Sequence, residues 1–283
     1  MLSSLRNPAR IACTLLLLTP FTLSQQAASP LIPVHCGHEP DSALPAHAPK
    51  PRPSAAAAEA AIKAARAEPG FLSMDEPANL AIARYRIADY ADCVVSTVCY
   101  WTDIATQTAR AQAELKRLIA TQKPGEKLAM VLDIDETSLS SYCEEKREDY
   151  GYLFTAYNQW LVSTEASIPI PGTLALFNQA RAAGVAVFFI TGRPGVKGAF
   201  DDQTEATARN LMLAGYKNWQ GLILRDESQR DLPVADFKSA ERARIIAAGY
   251  RIILNLGDQW SDLSGPARAE VSVKLPNPFY YLP

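Results

Sequence analysis

Beyond its N-terminal segment the chain has no long apolar run, and its charges are close to balance. No stretch there reaches the roughly 20 consecutive apolar residues that a membrane-spanning helix needs. Lysine and arginine number 28 against 30 aspartates and glutamates, which gives a net charge of -2. This balance creates no field that would attract a nucleic-acid polymer or an anionic membrane, so we expect a small soluble molecule as the partner.

Two common motifs of nucleotide and ester chemistry are missing as well. The chain has neither a Gly-x-x-x-x-Gly-Lys phosphate loop nor a Gly-x-Ser-x-Gly nucleophile turn. Assignment to the nucleotide-driven motors or to the serine hydrolases therefore has no support in the sequence.

The first 28 residues have the pattern of a secretory signal peptide. Arg6 and Arg10 precede an apolar run at 11–23, and small residues follow at 27–29. This order predicts an exported protein, either periplasmic or secreted.

Four cysteines lie beyond the predicted signal peptide, at Cys36, Cys93, Cys99 and Cys143. In an oxidising compartment they allow three disulfide pairings. A pair between Cys93 and Cys99 needs a break in the helix predicted around them, because six helical residues rise about 9 Å. The β-branched residues at 94–98 are a place where such a break is possible.

Three further regions follow from composition and periodicity. Residues 29–74 are rich in proline and alanine and are predicted to form a disordered leader. From 75 to 122 apolar residues recur at three- and four-residue steps, which predicts a helical extension with one buried face. Pro124-Gly125 ends this pattern, and a separate domain is predicted at 123–283.

Within 123–283 short apolar runs alternate with segments of helical periodicity. The runs lie at 128–133, 185–191, 222–225 and 251–258. This alternation predicts an α/β fold, a Rossmann-like parallel sheet flanked by helices, with a small cap-like insertion at 138–171. In such sheets ligands bind at the carboxyl ends of the strands.

Carboxylates follow two of these predicted strands. Asp133 and Asp135 come after the first, while Asp258 and Asp262 come after the last. Packed together without a cation they would repel, so the pattern indicates a bound metal, a raised pKa, or both. Oxygen ligands select a hard cation, and Mg²⁺ is the best match because one or two carboxylates suffice to hold it.

Groups suited to an anionic substrate lie on the same predicted edge. Thr191 and Gly192 end the second run, and Lys238 stands at the start of a predicted helix. A hydroxyl, backbone amides and an ammonium group together provide the donors and the positive charge that a phosphate requires.

Four motifs in this order resemble those of the haloacid dehalogenase superfamily. More closely, the sequence is similar to its acid phosphatase branch, which contains plant acid phosphatases, vegetative storage proteins and bacterial exported phosphatases. The likeness covers residues 75–283 and includes the ending Lys-Leu-Pro-Asn-Pro-Phe-Tyr-Tyr at 274–281. The motifs are Asp-Ile-Asp-Glu-Thr at 133–137, Ile-Thr-Gly-Arg at 190–193, Phe-Lys-Ser at 237–239 and Gly-Asp-Gln-Trp-Ser-Asp at 257–262.

The resemblance implies hydrolysis of phosphate monoesters with Mg²⁺ as cofactor. Asp133 would be the nucleophile and a metal ligand, and Asp135 the general acid and base, with its backbone carbonyl on the metal. Asp258 would complete the protein's metal ligands, and Asp262 would orient a metal-bound water. The phosphate-binding residues would be Thr191, Gly192 and Lys238.

The insertion is rich in aromatic residues, and two interpretations of them stand. Tyr142, Tyr157 and Trp160 are possible contacts for an aryl or nucleoside leaving group, whereas Phe154, Tyr157 and Trp160 also fit the inner face of a short helix. Three alternatives to a broad acid phosphatase also stand: a narrow 5'-nucleotidase, a phosphate transferase acting on alcohols, and a non-catalytic storage protein. Some plant relatives of the last kind have lost the nucleophile, whereas Asp133 is present here.

Overall fold

A five-stranded parallel sheet forms the centre of the chain, which confirms the predicted α/β class. The computed structural model describes residues 31–37, 52–70, 72, 74, 77–94, 97–195 and 203–282. The strand order is β3-β2-β1-β4-β5, so β1 lies in the middle. The strands are β1 (Lys127–Leu132), β2 (Ala186–Pro194), β3 (Gly221–Arg225), β4 (Tyr250–Gly257) and β5 (Val271–Lys274).

Helices cover both faces of the sheet, and the alternation of side chains along β1 divides the core between them. Leu128, Met130 and Leu132 pack with residues of α3, α6 and α7. Ala129 and Val131 point the other way and pack with residues of α8. Successive strand residues face opposite sides, so burial on both faces requires the continuous apolar run seen in β1. The helices are α3 (Tyr100–Ile119), α6 (Pro171–Ala182), α7 (Thr204–Leu213) and α8 (Val234–Ala247).

The helical extension consists of two helices rather than one. After α2 (Leu80–Ala91) the chain turns at Cys93, whose φ is 53°, and α3 begins at Tyr100. The break lies where the sequence analysis located it. It brings the Cα atoms of Cys93 and Cys99 to 5.3 Å, and the two sulfurs form a disulfide.

Part of the predicted disordered leader has regular structure, which corrects that prediction for these residues. Helix α1 (Ala55–Arg66) has its N-cap at Ser54, and the amide of Ala55 donates to Asp89 of α2. Upstream, Cys36 forms a disulfide with Cys143. The predicted signal peptide, 1–28, lies outside the described residues.

The cap-like insertion lies between β1 and α6 and contains two short helices, α4 (Tyr142–Arg147) and α5 (Phe154–Leu161). A last short helix, α9 (Trp260–Leu263), follows β4. Over the described ranges, none of the helices is long and apolar enough to cross a membrane.

Candidate active site

The loop after β1 carries the first pair of carboxylates to the carboxyl edge of the sheet. The amide of Asp133 donates to Leu256 of β4 at 3.0 Å, which extends the β1–β4 ladder one residue past the strand. The chain then turns back, because the amide of Ser138 donates to the carbonyl of Ile134 at 2.8 Å. Asp133 is buried, while Asp135 remains partly exposed.

Lys238 links two buried carboxylates at the centre of the site. Its Nζ lies 2.5 Å from Oδ1 of Asp133 and 2.5 Å from Oδ1 of Asp262. Burial alone would lower the pKa of Lys238, but the two carboxylates raise it above the usual value. The ammonium group therefore stays charged and offsets part of the negative charge around it.

Asp258 is held at both of its oxygens. The hydroxyl of Thr137 donates to Oδ1 at 2.9 Å, and the side-chain amides of Gln259 and Asn277 both donate to Oδ2 at 2.7 Å. Burial, followed by the charge of Asp262, raises the pKa of Asp258 to about 6 despite these donors. The pKa of Asp133 is also raised, first by burial and then by Asp262.

Gly257 allows these carboxylates to come together. It ends β4, and a Cβ built on it would lie 2.3 Å from the Cβ of Asp262. A side chain at this position would push the turn that follows away from the strand end.

Three carboxylates form an oxygen site suited to a hard cation. Asp133, Asp258 and Asp262 each offer an oxygen, and these oxygens lie within 4.8 Å of one another. All three residues are buried, and their mutual repulsion favours a bound divalent ion. The donor set therefore fits Mg²⁺. Both oxygens of Asp262 already accept hydrogen bonds, one from Lys238 and the other from the backbone amide of Gln259.

Arg193 holds Asp135 in a two-pronged ion pair that the sequence analysis did not assign. Its Nη2 lies 2.6 Å from Oδ1 of Asp135, and its Nε lies 3.0 Å from Oδ2. The same guanidinium donates to the hydroxyl of Thr207 on α7 at 3.1 Å. Arg193 itself is buried, so its planar group fixes the direction of the Asp135 carboxylate.

A pocket of about 490 Å³ opens over these groups. Thr191 and Gly192 line it together with all four aspartates and Lys238, so the residues predicted for phosphate binding do meet the carboxylates. No atom would lie within 4 Å of a Cβ on Gly192, which leaves open space beside its backbone. The site therefore combines donors, a cation and carboxylates around one cavity.

Of the three aromatic residues predicted as possible substrate contacts, one lines the pocket and two do not. Tyr157 lines the pocket, as the substrate-contact interpretation requires. Trp160 is 2% exposed and packs with Leu161 and Ala166, while Tyr142 is 1% exposed and donates to Asp92. Neither side chain lines the pocket, and Trp160 is buried as the core interpretation requires.

Several lining residues were not singled out from the sequence. They include Asn158 of the insertion and Arg225, the last residue of β3. The C-terminal residues Tyr280 and Tyr281 also line the pocket. They belong to the ending at 274–281, and its similarity to the acid phosphatase branch is the signal that could have located them.

The comparisons with known proteins establish the family. A model of the haloacid dehalogenase superfamily, subfamily IIIB (acid phosphatase), matches residues 71–283. The chain therefore belongs to this family, and the resemblance seen in its motifs is confirmed.

Plant proteins are among its relatives. The chain is 38% identical to stem 28 kDa glycoprotein of Glycine max over 54% of this chain and 59% of that protein. It is 34% identical to acid phosphatase 1 of Solanum lycopersicum, over 54% and 58%. Vegetative storage protein 1 of Arabidopsis thaliana is 35% identical, over 54% and 55%. The chain thus spans less than two thirds of each relative.

A solved structure shares the fold. The class C acid phosphatase from Bacillus anthracis superposes with a TM-score of 0.55, covering 71% of this chain and 87% of that one. Its sequence identity is 19%, so this likeness describes the architecture alone.

Proposed function

We propose that this protein is an exported, Mg²⁺-dependent phosphomonoesterase that forms an aspartyl-phosphate on Asp133. The observation that carries the proposal is the cluster of Asp133, Asp258 and Asp262 in one pocket, with Lys238 paired to the first and the last of them. Such a site aligns an anionic ester with a carboxylate nucleophile while offsetting its charge, which is most of what phosphoryl transfer requires.

In the first half of the reaction a carboxylate oxygen of Asp133 attacks phosphorus and the bond to the ester oxygen breaks. Asp135 donates a proton to that leaving oxygen. In the second half Asp135 accepts a proton from water, which attacks the aspartyl-phosphate and releases inorganic phosphate. Arg193 directs the Asp135 carboxylate through both halves.

The remaining groups bind the phosphoryl oxygens and the cofactor. The hydroxyl of Thr191 and the amide of Gly192 are the proposed donors to phosphate, and Lys238 offsets negative charge on Asp133 and on the substrate. Asp133 and Asp258, with the backbone carbonyl of Asp135, would hold Mg²⁺. When bound, Mg²⁺ supplies positive charge that stabilises the transferring phosphoryl group.

The pocket walls favour substrates with a ring. Tyr152, Tyr157, Tyr280 and Tyr281 line a cavity that also contains the reacting groups. Aryl and nucleoside phosphates can stack on such side chains, whereas small alkyl phosphates have no ring to stack. We propose acid phosphatase activity on a range of monoesters, with a preference for ring-bearing ones.

The name of one relative, vegetative storage protein 1, leaves a storage role as the main alternative. Storage requires no catalytic group, yet this chain keeps the nucleophile, the general acid and the lysine, each with specific partners. These contacts favour an enzyme.

Export is supported by the cysteines. All four cysteines beyond the predicted signal peptide form disulfides, Cys36 with Cys143 and Cys93 with Cys99. Structural disulfides persist mainly in oxidising compartments.

The test is a substrate panel on purified protein, with aryl, nucleoside and alkyl phosphates, in Mg²⁺ and after exhaustive chelation. We expect Asp133→Asn to fold and to lose turnover, while Asp236→Asn, at an exposed position on α8, serves as the matched control. Near-normal hydrolysis by folded Asp133→Asn would refute the nucleophile assignment. Activity that survives chelation with no metal retained would refute the metal dependence.

A further inference from the structure

The C-terminal segment, residues 277–282, lies against the loop that carries Asp258. It follows β5 and is anchored by Phe279, whose ring centroid lies 5.2 Å from that of Tyr100 on α3 and 5.9 Å from that of Tyr150. These contacts hold the segment in an aromatic cluster built by the extension and the insertion. The segment therefore has a fixed place beside the site.

Gln259 ties the same segment to the site at a second point. Its Oε1 accepts from the amide of Leu282 at 3.0 Å, and its Nε2 donates to the carbonyl of Tyr280 at 3.3 Å. That Nε2 also donates to Oδ2 of Asp258 at 2.7 Å. One amide side chain thus connects the C-terminal segment with a carboxylate of the proposed metal site.

Asn277, the first residue of the C-terminal segment, contacts Asp258 directly. Its Nδ2 donates to Oδ2 of Asp258 at 2.7 Å, while its Oδ1 accepts from the amide of Phe279 at 2.7 Å. The two contacts fix which way the side-chain amide faces, because the reversed amide would set an oxygen against a carboxylate and a nitrogen against an N–H donor. Asn277 is therefore built into a turn that aims its donor at Asp258.

We infer that Asn277 is a positioning residue that orients the Asp258 carboxylate for the divalent cation, and that the C-terminal segment is thereby part of the catalytic apparatus. The inference rests on the proposed function. With Thr137 donating to Oδ1 and Asn277 and Gln259 to Oδ2, rotation of the carboxylate is restricted before any cation arrives. Partners of this kind that orient a ligand typically contribute about 10- to 100-fold in metal affinity.

The test measures metal binding directly, with Mn²⁺ as the probe. Mn²⁺ is titrated into the full chain after chelation and dialysis, and the unbound ion is quantified by its EPR signal. Asn277→Ser keeps an oxygen that can accept from the Phe279 amide, but its shorter side chain lacks the amide group that donates to Asp258. Asn277→Gln keeps the amide donor, and Ser272→Ala, at an exposed position on β5, is the control.

We expect Asn277→Ser to weaken Mn²⁺ binding by about 10- to 100-fold, Asn277→Gln to weaken it less, and Ser272→Ala to match the wild type. Raising the Mg²⁺ concentration should restore most of the hydrolysis by Asn277→Ser. Wild-type Mn²⁺ affinity in Asn277→Ser would overturn the inference, as would failure of that variant to fold, since Asn277 would then be structural. A wild-type chain that binds no Mn²⁺ would instead refute the metal dependence of the proposed function.

Discussion

Glu145 on α4 is a buried carboxylate in an acidic environment, and its replacement by glutamine should change how stability depends on pH. It is 2% exposed. Burial raises its pKa from 4.5 to about 8, with further contributions from the nearby carboxylates of Glu136, Glu148 and Glu144. Among the described residues the neighbouring Arg147 pairs with other carboxylates, including Glu144 at 3.0 Å.

The sign of the effect follows from the direction of this shift. A carboxyl group whose pKa is higher in the folded state than in the unfolded state keeps its proton on folding between pH 4.5 and about 8. The stability that the protonated form contributes is fully present below pH 4.5, the pKa in the unfolded state. It is lost as the pH rises through about 8, the pKa in the folded state. At about 1.4 kcal/mol per pKa unit, this shift sets an upper limit of about 5 kcal/mol.

Glutamine cannot ionise, so Glu145→Gln should be more stable than the wild type above pH 8, by up to about 5 kcal/mol, and equal to it near pH 4.5. Urea unfolding at intervals from pH 4.5 to 9, with chelator present and disulfides intact, measures the difference. Glu68→Gln, at an exposed position, should show no such trend. A difference that is constant with pH, or a Glu145→Gln protein that is less stable at pH 8.5, would refute the reasoning.

Two further predictions concern residues near the pocket. Trp160→Ala should lower the free energy of unfolding by about 3–5 kcal/mol, because the ring is in the core. For the same reason it should change the rates on aryl and alkyl esters by the same factor. A selective loss of activity on aryl esters would contradict this prediction. Arg193→Lys should slow the first turnover on alkyl esters more than on activated aryl esters in rapid-mix experiments. It would lose part of the about 10²- to 10⁴-fold that general acid catalysis supplies; equal slowing would argue against a positioning role.

The convergence of the aspartates was predictable because it depends on topology more than on packing. Parallel strands have their carboxyl ends at one edge, so residues that follow β1 and β4 must lie close together once those strands pair. The positions of Asp133 and Asp258 could therefore be predicted from the apolar runs that precede them. Lys238 lies in the first turns of a helix that packs on the same sheet, and the same reasoning locates it approximately.

Side-chain direction within the insertion was not predictable in this way. Tyr157 and Trp160 are three residues apart on α5, and their rings are in contact with centroids 5.4 Å apart. One lines the pocket and the other does not, a difference set by how α5 packs on its neighbours rather than by its periodicity. Arg193 is a similar case, because its contact with Asp135 joins residues 58 positions apart.

Composition misled the prediction for the leader. The segment of α1 is mostly alanine, and its alanines together with the surrounding prolines suggested disorder. Alanine has the highest helix propensity, and Ser54 supplies an N-cap. Asp89 then accepts from Arg52 and from the amide of Ala55, which attaches the start of α1 to α2.

The helical extension supports the loop that carries Asp133 and Asp135. The break after α2 begins α3 at Tyr100, whose hydroxyl donates to the carboxylate of Glu136. Glu136 follows Asp135 directly and has a φ of 53°, a left-handed conformation that side-chain-bearing residues adopt only when their surroundings hold them there. The same carboxylate accepts from the amide of Ser141, so both contacts restrain the turn. The extension therefore contacts the sheet domain through a hydrogen bond as well as through apolar packing. In this hydrogen bond Tyr100 of α3 donates to Glu136, the residue next to the proposed general acid.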